Sequence, residues 1–270
     1  MSNLVVVGVD GSSTALTAVE AAAAAAARRG AALRVVHAEV PIKPRLVVPD
    51  PTVRTLVLEA AARALQVAPE VGVTPAVVMG EVVHVLEAES QAANLIVVGS
   101  TGKGGITGLL LGSTPVSLAA RGHCPVMTVP EKHRASDAAG PVVLGVDGSQ
   151  DSDEAVDVAF AEAARRQAEL VAVHACQPDK ASLGTAPDTV EHLLAQALAG
   201  HTDTYPDVPV RRDLVGGTAS EVLLEASKAA QLLVVGARGR GGLAGLLLGS
   251  VSQAVMTRAH CPVVTVRRTT

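Results

Sequence analysis

LIVVGSTGKGGITGLLLGS, from Leu95 to Ser113, returns as LLVVGARGRGGLAGLLLGS from Leu232 to Ser250, a constant 137 positions on (99 to 236). Each copy is an apolar run, then Gly-x-x-Gly, nine residues, and Gly-Ser. Four consecutive apolar residues ending in glycine read as a strand buried on both faces, as in a parallel sheet. Glycines between such a strand and a helix let backbone amides approach a phosphate without side-chain obstruction, while the helix adds its positive end. Ser113 and Ser250 stand where a hydroxyl can cap that helix, meet a phosphate oxygen, or do both.

The same offset extends along the chain. Asp10 maps onto Asp147 within GVDGS, His37 onto His174 within VHA, Gly80 onto Gly217, and Cys124 onto Cys261 within HCP. The chain is therefore an internal duplication with two similar sites, each half a small folding unit. The boundary falls in EKHRASDAAGP, Glu131 to Pro141, whose small, polar, proline-terminated character suits a linker. We expect domains at 1–133 and 141–270 with a linker at 134–140.

Each half alternates strands with helices, which predicts a parallel sheet with helices on its faces. In the first half we expect strands at Leu4–Val9, Leu33–Ala38, Pro75–Met79 and Leu95–Gly99, and a last one in HCPVMTV. Helices are expected at Ala15–Arg29, capped by Ser12 or Ser13 and stopped by Gly30, then at Thr52–Val67, Val82–Ala93 and from Ser113. A proline-rich loop occupies Pro41–Pro51. The second half repeats this order, with helices at Ser152–Gln167, near Thr189–Ala199, at Ala219–Ala230 and from Ser250, and a strand around Val208–Leu214.

Composition narrows the function. The 270 residues are 49% apolar, with one Phe, one Tyr and no Trp, so the cores are built from aliphatic residues and alanine. Aromatic stacking platforms for single-stranded nucleic acid are missing, and a net charge of -4 offers no general attraction for a phosphate backbone. Nucleic acid is not an expected partner. Arg28-Arg29, Arg165-Arg166 and Arg267-Arg268 read as solvated or helix-end charge. Three cysteines without a C-x-x-C fit a reducing compartment, and no signal-peptide pattern or lipid-spanning run is present. We expect a cytoplasmic protein with no membrane partner.

Other motifs fit poorly. A P-loop needs Lys followed by Ser or Thr, but Gly102-Lys103 is followed by Gly104. Gly239-x-Gly241-x-x-Ala244 resembles a dinucleotide fingerprint only formally: it follows the fourth strand of its half, and Thr107 spoils its counterpart. His123-Cys124 and His260-Cys261 offer two ligands each, too few for a metal site. His37 and His174 lack a nucleophile partner, and His84 and His192 read as surface residues.

Taken together, G-x-x-G, nine residues, G-S, the first-strand Asp, V-H-A and H-C-P resemble the ATP-binding class of universal stress proteins in tandem form. The resemblance covers nearly the whole chain. It implies two α/β domains, each a five-stranded parallel sheet in the order 3-2-1-4-5 with helices on both faces. It also implies ATP with magnesium as the ligand. In the first half Gly8, Val9 and Asp10 would lie against the nucleoside and Ala38 beside adenine. Val98 and Gly99 would flank the nucleotide, and Gly102, Gly112, Ser113 and Thr114 would contact phosphates. The second-half counterparts are Gly145, Val146, Asp147, Ala175, Val235, Gly236, Gly239, Gly249, Ser250 and Val251. Asp10 and Asp147 are read three ways: as ribose partners, as aids to magnesium, or as turn formers in Asp-Gly.

The halves are not identical. Pro115 replaces Ser252 and removes one amide donor, while Thr101 and Lys103 stand where the second half has Arg238 and Arg240. We expect the second half to hold ATP more tightly. The function expected is an ATP-binding stress-response regulator or sensor, not an enzyme; the alternative is a slow ATP hydrolase or a phosphoryl or nucleotidyl transferase. The resemblance further implies that the final strands pair as an intramolecular pseudo-dimer, and a homodimer of the chain is also expected.

Overall fold

The computed structural model describes residues 3–40, 51–103, 111–133, 140–176, 187–240 and 248–268. Two compact units are formed, one of residues 1–135 and the other of 136–268. The proline-rich loop expected at Pro41–Pro51 and the linker expected at 134–140 lie outside the described residues but for Pro51 and Gly140.

The first unit runs β1 (Leu4–Gly8), α1 (Ser13–Arg29), β2 (Ala32–Glu39), α2 (Pro51–Val67), β3 (Val73–Met79), α3 (Val82–Ser90), β4 (Leu95–Gly99), α4 (Ser113–Arg121) and β5 (Val126–Val129). The strands lie parallel in the order β3-β2-β1-β4-β5. Both faces of the sheet are covered. Val6, Val36, Ile96 and Val98 pack in one cluster with Leu86 of α3 and Leu118 of α4. The alternate residues Val5, Val7, Val35, Leu95 and Val97 point to the opposite face and are fully buried there. This two-sided burial explains why the strands read as continuous apolar runs.

The second unit repeats the plan with β6 (Val142–Gly145), α5 (Gln150–Arg166), β7 (Leu170–Cys176), α6 (Pro187–Leu198), α7 (His201–Thr204), β8 (Val210–Gly216), α8 (Ala219–Ala226), β9 (Leu232–Gly236), α9 (Ser250–Arg258) and β10 (Val263–Val266). Its strand order is β8-β7-β6-β9-β10, the same 3-2-1-4-5 pattern. Among the described residues no helix is long and apolar enough to cross a membrane.

Local chemistry sets the helix ends. Ser12 caps α1 by accepting from the Ala15 amide, and Gly30 ends it in the left-handed region at φ 57°. Two helices stop short of expectation. α3 ends at Ser90, not Ala93, and α8 at Ala226, not Ala230. The reason is shared: Ser90 Oγ donates to Glu87 O at 2.5 Å and accepts from His123 N at 3.0 Å. Ser227 makes the same pair of bonds with Leu224 O at 2.7 Å and His260 N at 3.1 Å. A buried serine thus turns the helix end toward each H-C-P segment.

The helix expected near Thr189–Ala199 is followed by a separate turn, α7, because Gly200 takes φ 82° and breaks the run. Arg166 stands in the last turn of α5, as the helix-end reading has it, but it is not solvated. Its side chain is 6% exposed and bonded to Glu162, itself buried, as a charge in that position requires.

Candidate functional site

β1 pairs with β2 on one side and β4 on the other, with Val5 opposite Leu95 and Val7 opposite Val97. The chain direction diverges at this point, leaving a crevice beyond the strands' C-terminal ends. A cavity of about 550 Å³ opens there in the first unit. Its counterpart between β6 and β9 is about 750 Å³. Both sizes suit a small-molecule ligand.

Every residue the sequence nominated is brought to these cavities. Gly8, Val9, Asp10, Ala38, Val98, Gly99, Gly102, Gly112, Ser113 and Thr114 line the first. Gly145, Val146, Asp147, Ala175, Val235, Gly236, Gly239, Gly249, Ser250 and Val251 line the second. Each cavity has an apolar end, formed in the first unit by Val36, Ala38, Val82 and Leu86, and a polar end built from Asp10, the glycine-loop start and the α4 start. Sequence reasoning missed the α3 and α8 contributions, Val82 with Leu86 and Ala219 with Leu223. Gly8 is their signal: a Cβ there would lie 2.9 Å from Leu86 Cδ1, so glycine lets the leucine close over the strand end.

Asp10 organises the polar end. Its Oδ1 accepts from Ser12 N at 2.9 Å and Ser12 Oγ at 2.6 Å, and its Oδ2 from Lys103 N at 2.8 Å. Burial alone would raise the carboxyl's pKa, but these donors outweigh it and hold the group below its ordinary value. Asp147 repeats the pattern with Ser149 N at 2.9 Å and Arg240 N at 3.0 Å. The turn-forming reading of both aspartates therefore holds, extended by a tie to the glycine loop 93 residues away. The opposite end of that loop is pinned too, by Gly112 N on Ser100 O at 2.8 Å and Gly249 N on Ala237 O at 2.9 Å. Residues 104–110 and 241–247 of the loops lie outside the described residues.

In α9 the first helical amides, Ser250 to Ser252, precede the Gln253 amide, which bonds Gly249 O at 3.0 Å. They form a donor set at a helix start, suited to an anion. Ser252 Oγ is not part of it, since it donates to Gly236 O at 2.7 Å. In α4 the third position is Pro115, which has no amide hydrogen.

Two histidines buttress the cavities. Nδ1 of His37 lies 2.7 Å from Val9 O, and Nδ1 of His174 2.7 Å from Val146 O. A carbonyl only accepts, so Nδ1 carries the proton in each. His84 and His192 are exposed. His123 and His260 are exposed beside Cys124 and Cys261, whose thiols burial pushes up to about 12. Among the described residues no group of three or more His, Cys, Asp or Glu is placed to hold a metal ion.

Two parallel α/β units, each with a glycine-lined crevice at its switch point, β1–β4 or β6–β9, define a tandem α/β protein. The universal stress protein family matches residues 1–130 and again 139–267. Universal stress protein Rv1996 of Mycobacterium tuberculosis is 38% identical, covering 97% of this chain and 94% of its own length. Universal stress protein Rv2005c of the same organism is 38% identical over 98% of this chain and 97% of its own. The chain belongs to the universal stress protein family. A universal stress protein from Archaeoglobus fulgidus, 19% identical, shares the fold over 100% of both chains with a TM-score of 0.69.

Proposed function

We propose that this protein is a regulator that binds an adenine nucleotide, ATP with magnesium, in each half, and that the nucleotide is a ligand and not a substrate. The observation that carries the reading is the convergence of all ten nominated residues of each half on one cavity with an apolar and a donor-rich end. The apolar end suits a base recognised through backbone groups, and the helix-start amides suit its phosphates. Asp10 already accepts three hydrogen bonds, which leaves little of its capacity for acting as a general base. That counts against the hydrolase alternative.

Nucleotide binding then acts through mass action in the cytoplasm. At a ligand concentration one hundred times Kd, each site adds about 2.7 kcal/mol to the bound conformation. Conformation, assembly or partner binding follows the cellular nucleotide level. The test is to denature purified protein and quantify released nucleotide by anion exchange, with protein measured by amino-acid analysis because the chain has one Tyr and no Trp. Adenine nucleotide near two per chain supports paired sites. None released, and none taken up when ATP and magnesium are restored, overturns the reading.

A further inference from the structure

The two cavities share a glycine frame but differ where the start of the glycine loop meets the first helix of each half, α1 or α5. In the second half Asp151, at the second position of α5, lines the cavity and is only 4% exposed. Its Oδ2 accepts from Arg238 N at 3.1 Å and Arg238 Nε at 3.3 Å, and its Oδ1 from Arg268 N at 3.3 Å. A buried carboxylate needs such partners. With Nε tied down, the half-exposed guanidinium is oriented, and among the described residues its two terminal nitrogens carry no hydrogen bond. Arg238 also lines the cavity.

In the first half the equivalent loop residue is held without charge, and through its carbonyl instead of its amide. Thr14 stands at the position of Asp151, and its hydroxyl donates to Thr101 O at 2.6 Å. One loop cation is common to both halves and folds against the turn: Lys103 Nζ would lie 2.9 Å from a Cβ on Gly11, and Arg240 packs likewise on Gly148. Arg238 is therefore the surplus group.

We propose that Asp151 is a positioning residue that holds Arg238 as an extra phosphate-binding arm, making the second half selective for the longer phosphate chain. The first half, lacking the arm, discriminates far less among nucleoside mono-, di- and triphosphates. This rests on the reading of both cavities as adenine-nucleotide sites. Net charge does not produce the difference. Asp10 and Lys103 balance in the first cavity, and Asp147 and Asp151 balance Arg238 and Arg240 in the second. What differs is directed donors: a guanidinium fork matched to phosphate oxygens, and a third helix-start amide at Ser252 where Pro115 has none. Screening at a half-exposed arginine limits the gain to about tenfold in affinity.

The test uses the whole chain and titration calorimetry with AMP, ADP and ATP. Gly102→Val blocks the first cavity and Gly239→Val the second. The second half should prefer ATP over AMP by about tenfold more than the first half does. Arg238→Thr should lower its ATP affinity about tenfold and its AMP affinity less than twofold. Asp151→Asn should reduce the ATP-to-AMP ratio, and Thr14→Asp with Thr101→Arg should raise that ratio in the first half. A purely structural role for Asp151 would weaken all three nucleotides alike. Equal ratios in the two halves, or a ratio unmoved by Arg238→Thr, overturns the proposal while leaving the nucleotide sites standing. Failure of all three nucleotides to bind either half overturns the underlying reading as well. Should Asp151→Asn fail to fold, Arg238→Thr and the first-half double variant decide.

Discussion

Gly102 lies under the carboxylate of Asp10 so closely that a Cβ on it would stand 2.6 Å from Oδ2; Gly239 and Asp147 repeat the contact at 2.5 Å. The second glycine of the motif is thus required by a carboxylate that must reach the next residue's amide, Lys103 or Arg240.

Gly102→Ala and Gly239→Ala should each break that reach. We expect a loss of about 1–2 kcal/mol in stability, the cost of one charge-assisted hydrogen bond, and weaker nucleotide binding at the altered half alone. Denaturant unfolding and calorimetry measure both effects. Gly72→Ala, where a Cβ meets nothing within 4 Å, is the control and should change neither.

The depressed Asp10 carboxyl carries a pH signature. Its folded pKa lies below the unfolded value of 3.8, so its contribution is complete above that value and is lost as pH falls through the folded one. Asp10→Asn should flatten the acid limb of the first unit's stability curve below about pH 4 and cost about 1 kcal/mol at neutral pH, since the group is partly screened by solvent. Equal acid limbs in variant and parent would reject this role.

Phe160 is fully buried and stacks on His201 at 5.3 Å and Tyr205 at 5.8 Å between ring centroids. The equivalent first-half positions, again 137 residues back (160 to 23), hold buried Ala23, Ala64 and Ala68. Phe160→Ala should therefore destabilise the second unit by about 3–5 kcal/mol through the cavity it leaves. Ala23→Phe should overpack the first unit, costing about 1–3 kcal/mol. Urea titrations of the two variants give the comparison.

Cys124 and Cys261 have thiols pushed up to about 12 by burial, so at pH 8 only about one in ten thousand is ionised. Native protein should react with a thiol reagent at Cys176 first, at the partly exposed end of β7, and at all three only after unfolding. Fast native labelling of Cys261 would contradict its burial.

Sequence alone determined the duplication and the alternation of parallel strands with helices, because both-face burial demands unbroken runs such as LIVVG and turns demand glycines at constant spacing. The strand order and the residues expected at each cavity came from the resemblance to the universal stress protein family. Helix ends at Ser90 and Ser227 were not legible, since each depends on an amide 33 residues away. Nor did any motif mark Asp151 as the partner of Arg238, 87 residues on. By sequence it stands just before the helix expected from Ser152, and nothing local marks it for burial. Only folding buries that carboxylate, and burial is what obliges it to take the arginine as its partner.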